Sequence, residues 1–135
     1  MAYIAGVRVK NLTDMRSVVT IRHGWLTQNP FRSMYFACQS MAAEMSTGLL
    51  VMNGVYESRP GISMLVVKNN AEFFKKAVGR ITFICEDGMQ ISEAISKTRS
   101  TGEGVVLLLK STGRDESGAI VSEFNFTWSL KVKSL

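Results

Sequence analysis

The chain has 135 residues, 46% of them hydrophobic and only two of them proline, a balance that excludes a disordered polymer and suffices for one domain with a buried core. Sixteen Lys and Arg against eleven Asp and Glu give a net charge of +5, which fits either attraction to polyanions, whether nucleic acid or the phosphates of a nucleotide-like group, or simple solubility. The cations are dispersed, densest at Lys75-Lys76 and around Arg8 and Lys10, and no RNP, zinc-knuckle or helix-turn-helix pattern accompanies them, so nucleic-acid binding is the weakest of the readings.

The N-terminal MAYIAGVRVK lacks a long apolar stretch behind a basic start, so no signal peptide is expected. Ile4 to Lys10 and Met15 to Arg22 are two short β-rich runs split by the polar turn Asn11-Leu12-Thr13-Asp14, which predicts a hairpin or adjacent strands. Asn29-Pro30 reads as a turn and Ser33 as an N-cap. Tyr35 to Met52 (YFACQSMAAEMSTGLLVM) follows, with Glu44 as its single charge. Apolar positions cover nearly the whole circumference, and a helix apolar all round is a buried one. It would be roughly 27 Å long, and Asn53-Gly54 would end it. Gln39, Ser40, Glu44, Ser46, Thr47 and Gly48 interrupt the run and exclude a transmembrane segment. A carboxylate near the middle of such a helix must be paired, hydrogen-bonded, protonated or open to a cleft.

Arg59-Pro60-Gly61 is the next turn, after which the chain turns to β character. Ile62 to Lys68 reads as a strand continuing through Phe73-Phe74, and Val78 to Glu86 alternates with Ile81, Phe83 and Cys85 on one face. Met89 to Thr98 fits either a short helix or a strand. Val105 to Leu109 (VVLLL) is a continuous apolar run, as expected for a strand covered on both faces. Phe124, Phe126, Trp128, Leu130 and Val132 alternate with polar residues and define the clearest strand. Strands before and after one long helix, without strict alternation, predict a single α+β domain over residues 1–135 with a mainly antiparallel sheet. A helix apolar on all sides calls for a sheet curled around it, the hotdog arrangement.

The sequence resembles the hotdog superfamily, and within it the acyl-CoA thioesterases of the phenylacetic-acid-degradation type and a related DUF4442-like branch. Their helix region carries an Asn, a His-Gly-Gly beginning six residues later, an acid at fifteen and a Gly at nineteen. Counting from Asn29, the acid falls on Glu44 and the last Gly on Gly48, while Tyr35, Phe36 and Ala37 replace His-Gly-Gly. Phe73 to Gly79 is similar to the family's aromatic-x-x-Pro-Ala-x-Gly segment, with Lys76 for Pro. The resemblance implies a cytoplasmic thioester hydrolase, a homodimer or tetramer whose sites are shared between chains, with coenzyme A present only as part of the substrate. It implies Glu44 as general base or nucleophile, Asn29 as the orienting group and the Phe36 N–H as oxyanion donor. Tyr35, Met41 and Gly48 would line the substrate site. The family's polar side chain on the strand after the helix has no clear match, and Val66 falls near that position.

Each assignment has a plainer counterpart. Glu44 could be a structural carboxylate bonded to Ser40 or to a basic group of a partner subunit, Asn29 an Asx-turn, and Met41, Met45 and Met52 core fillers. Gly48 would let two elements approach closely. With His23 as the one histidine and no GxSxG, a Ser-His-Asp triad is excluded. One His and two separated Cys make no metal site. The two cysteines, Cys38 and Cys85, form no framework and no CxxC, which fits a reducing compartment; the apolar neighbours of Cys38 predict an inert thiol. Lys75, Lys76 and Arg80 could meet a CoA phosphate or form a solvated face. No membrane partner is expected. The alternative to catalysis is a binder of acyl groups or other small hydrophobic ligands on the same fold.

Overall fold

A computed structural model describes residues 6–22, 34, 36–56, 58 and 60–133. Six strands and two helices follow in the order β1 (Arg8–Leu12), β2 (Ser17–Arg22), α1 (Phe36–Val55), β3 (Ile62–Phe73), β4 (Arg80–Cys85), α2 (Gly88–Thr101), β5 (Val105–Arg114) and β6 (Ile120–Val132). They form one curved, unclosed sheet in the order β1-β2-β4-β5-β6-β3, with every neighbouring pair antiparallel. This is the α+β hotdog architecture, with α1 lying in the concave side of the sheet.

Turn chemistry closes the hairpins. The Thr13 hydroxyl accepts the N–H groups of Met15 and Arg16 between β1 and β2. Between β5 and β6 the Asp115 carboxylate accepts the N–H groups of Ser117 and Ala119, and Gly118 supplies the left-handed backbone (φ 86°). Ala77, in the Phe73–Gly79 segment, is buried, and its carbonyl accepts the Met34 N–H at 2.9 Å, which fixes the chain two residues before α1.

Helix α1 buries Gln39, Ala42, Ala43, Ser46, Thr47, Leu50 and Val51. These recur at the three- and four-residue spacings of a single helix face. The stripe is mostly small, so the helix axis approaches the sheet closely. Two buried hydrogen bonds set its rotation: Ser122 Oγ donates to Gln39 Oε1 at 2.7 Å, and the Ser46 and Ser111 hydroxyls lie 2.7 Å apart. Opposite pack Val19, Ile21, Phe83, Leu109, Phe124 and Phe126.

Three sequence expectations change and one open reading is decided. Helix α1 is covered along one face rather than all round, with Phe36, Glu44 and Met52 exposed on the other. Gly54 does not stop α1, which continues to Val55. Its missing Cβ instead makes room for α2, since that atom would lie 2.9 Å from Ile95 Cδ1. The undecided segment from Met89 is helical and buries Ile91, Ala94, Ile95 and Thr98, and the chain ends α2 at Gly102 in the left-handed conformation. In β5 only Leu107 and Leu109 of the apolar run are buried, while Val106 and Leu108 are exposed. The run is therefore covered on one face in the described chain, not on both.

Candidate functional site

The outer face of α1 forms one wall of a groove of about 340 Å³ lined by Met41, Glu44, Met45, Gly48, Leu49, Met52, Met64 and Trp128. Helical spacing places Met41, Glu44, Gly48 and Met52 in one row along α1. Strands β3 and β6 contribute Met64 and Trp128. The lining is apolar apart from one ionisable group, the Glu44 carboxylate. Among the described residues, neither a hydrogen bond nor an ion pair holds that carboxylate, so the structural bond to Ser40 is not formed. Glu44 is exposed at the groove, the last of the four environments open to it.

Trp128 makes the floor rigid. It is only 6% exposed, and its indole Nε1–H donates to Thr47 Oγ1 at 3.1 Å. Thr47 in turn donates to the Glu44 carbonyl at 3.0 Å, so one hydroxyl ties the floor to the helix turn that bears the carboxylate. Gly48 lies against the same ring: a Cβ there would be 3.4 Å from its nearest carbon. The close approach expected of this glycine is thus to strand β6, and it leaves the indole facing the groove. Four sulfur-containing side chains complete the wall, a flexible and polarizable lining suited to apolar chains of varied shape.

The structure therefore brings Glu44, Gly48 and Met41 together. Phe36 is placed elsewhere, at the first turn of α1, where it is 58% exposed. Asn29, Tyr35 and His23 lie outside the described residues. Val66 is half-buried on β3 opposite Trp128, an apolar side chain where the resemblance calls for a polar one. Of the three cations weighed for a phosphate, Lys75 pairs with Asp115 at 2.6 Å. That contact, followed by the Ser117 hydroxyl, holds the Asp115 carboxyl well below the usual carboxylate range.

Sequence reasoning missed Trp128 and Met64 as site residues. Trp128 stands on the buried face of an alternating strand, where it reads as core, and only the pairing of β3 with β6 sets Met64 beside it. The available signal was Gly48: a helix glycine without a turn role marks a large neighbour.

Glu44 cannot share a reaction centre with the Phe36 N–H of its own helix. Eight residues at 1.5 Å rise separate them by about 12 Å along the axis. A carboxylate and a helix-start amide acting on one carbonyl would have to come from two chains.

The sheet wrapped on α1 defines a protein of the hotdog fold. The family model for a domain of unknown function, DUF4442, matches residues 2–130, and the chain belongs to that family. Solved structures of the same fold include PA5026 from Pseudomonas aeruginosa, a protein of unknown function and probable thioesterase. It is 20% identical, with a TM-score of 0.86 over 98% of this chain and 89% of its own. OLEI01261 from Chlorobaculum tepidum, of unknown function, is 14% identical with a TM-score of 0.83 over 98% and 86%. The thioesterase HI1161 from Haemophilus influenzae is 14% identical with a TM-score of 0.71 over 96% and 82%. No curated protein matches the sequence.

Proposed function

We propose that the protein hydrolyses acyl thioesters, of coenzyme A or a protein-bound pantetheine, with Glu44 as the catalytic carboxylate. The observation that carries this reading is a single unpaired carboxylate on an otherwise apolar, methionine-rich groove. The acyl chain would lie along Met41, Met45 and Met52 against Trp128. Glu44 would take a proton from water as the water oxygen bonds to the thioester carbon. Alternatively it would attack that carbon itself, expelling the thiolate to leave a mixed anhydride that water hydrolyses, which frees the carboxylate, the acid and the proton that the thiolate takes up. The Phe36 N–H of a second chain, at the positive end of its helix, would stabilise the oxyanion. Collapse of the intermediate breaks the C–S bond, and the thiolate takes up the proton. Asn29 would orient the water and Tyr35 the carbonyl. The lost His-Gly-Gly does not remove the oxyanion donor, since a backbone amide needs no particular side chain.

Thioesterase neighbours of the same fold support the reaction class. The reading is tested by hydrolysis of short, medium, aromatic and long acyl-CoAs with native protein and Glu44→Gln. The expected result is turnover by native protein that drops about 10²–10⁴-fold in the variant with an unchanged melting temperature. Acyl-CoA binding without turnover in either protein would replace the enzyme with a non-catalytic acyl binder.

A further inference from the structure

The groove along α1 is not symmetric about its carboxylate. Among the described residues, α1 lines it from Met41 to Met52, while Phe36 and Cys38 before that stretch and Val55 and Tyr56 after it do not. At 1.5 Å per residue, Glu44 therefore has a short arm of about 4.5 Å towards Met41 and a long arm of about 12 Å towards Met52. The short arm matches the thioester group itself. The long arm spans an extended hydrocarbon chain of about ten carbons, since C–C bonds of about 1.5 Å advance about 1.25 Å each in a zigzag. A single aromatic ring would reach Gly48 and leave the far half of the arm unfilled.

The long arm also offers nothing to a polar group. Met45, Gly48, Leu49, Met52, Met64 and Trp128 line it among the described residues. The one polar side-chain hydrogen among them, on the indole nitrogen, is already donated to Thr47 Oγ1. Thr47 in turn gives its own hydroxyl hydrogen to the Glu44 carbonyl. A hydroxyl or carboxylate carried along the acyl chain would lose its water and find no partner, whereas a methylene gains by leaving water.

Gly48 is the narrow point of that arm, one helical turn and about 6 Å beyond Glu44. The edge of the Trp128 ring lies where a side chain would begin, with two ring carbons 3.4 and 3.6 Å from a Cβ. That is ordinary contact, so a methyl fits. A longer side chain is barred by the ring on that side and projects into the groove. The indole is fixed there, being 6% exposed and held by Thr47.

We propose that the long arm selects unsubstituted acyl chains of up to about ten carbons. Gly48 keeps the track open, and Thr47 is a positioning residue that acts through Trp128. The inference rests on the thioester reading for the placement of the reacting carbon beside Glu44.

The test is calorimetric titration of the full chain with S-alkyl-CoA thioethers from butyl to tetradecyl, which carry the chain but no bond to hydrolyse. Affinity should rise about two- to fourfold with each methylene as far as decyl and level beyond it. An ω-carboxyl on the decyl chain should cancel most of that gain. In Gly48→Leu the rise should stop near pentyl, and Gly48→Ala should give a smaller loss at long chains, with thermal melting confirming the fold of each. Thr47→Val should flatten the dependence on length and Thr47→Ser restore it, a change of slope that lost stability alone would not produce. Affinity still climbing past dodecyl, a folded Gly48→Leu with an unmoved break, or ω-carboxydecyl bound as tightly as decyl would overturn the inference. Hydrolysis of the matching acyl-CoAs separates it from the catalytic reading. Turnover indifferent to chain length would sink the inference and leave the reaction. A break at decyl without turnover would keep the arm, as that of a binder, and remove the reaction.

Discussion

Cys85 sits fully buried on β4 among Ile81, Phe83 and the core of the sheet. Burial pushes its thiol up to about 12, opposed by a hydrogen bond to the Asp87 backbone and reinforced by the Asp87 carboxylate. The folded chain then keeps a proton that the unfolded chain loses above about pH 9, near the ordinary thiol value. Because the unfolded state binds fewer protons there, stability falls as pH rises. We expect the urea midpoint of the native protein to decline from pH 8.5 upward more steeply than that of Cys85→Ala. Parallel declines would remove the thiol from the alkaline limb. Cys38 on α1 is also pushed up by burial, so neither sulfur is poised as a nucleophile. That leaves Glu44 as the one ionisable group lining the groove.

Between elements, two glycines at α2 separate close packing from a strict requirement. Gly54 on α1 would place a Cβ 2.9 Å from Ile95 Cδ1, the far end of a flexible side chain, and 3.3 Å from Ile91 Cγ2, so both contacts are with side-chain methyls and not with backbone. Helix propensity gains about 1 kcal/mol from Gly to Ala, so Gly54→Ala should leave stability unchanged or slightly raised. Gly88, at the start of α2, has the backbone of Asp14 and Met15 where its Cβ would fall, and its N–H donates to the Met15 carbonyl. Backbone cannot yield as a side-chain tip does. Gly88→Ala should cost about 1–3 kcal/mol or more by overpacking. Urea unfolding of the two variants checks the contrast, and equal midpoints would contradict it.

The same two helices show what the sequence made legible. Strand β6 was plain because strict alternation has one physical meaning, and α1 because eighteen residues with a single charge need cover. Which face of α1 takes the cover was hidden. Small residues such as Ala42, Ala43 and Ser46 seek the sheet for close approach, while larger methionines are left to the groove. Hydrophobicity alone ranks these the wrong way. Helix α2 was ambiguous because Ile91 and Ile95 favour strands by propensity, although their spacing with Ala94 and Thr98 is helical. Within the site, Glu44, Gly48 and Met41 could be found by spacing on one helix. Trp128 and Met64 could not, since the groove joins segments about eighty residues apart whose meeting depends on sheet order.

At the scale of the whole molecule, the unclosed sheet and half-covered helix leave the proposed reaction centre incomplete in one chain. Strand β3 is a twelve-residue edge with exposed Leu65 and Val67, and edges of that length invite pairing. The backbone positions of Glu44 and Phe36 lie about 12 Å apart along the axis of one helix. A twofold pairing of helices would set each carboxylate beside the other chain's helix start. Complementation decides this. Glu44→Gln removes the base, and Phe36→Pro removes the amide hydrogen at the first helical position, where proline is tolerated. Each variant alone should be inactive yet folded. Unfolded together and refolded as a mixture, they should regain about a quarter of native activity, because half the dimers are mixed and each holds one complete site. A mixture as inactive as its components, with mixed dimers confirmed by native mass spectrometry, would place the reacting groups within single chains and remove the shared site.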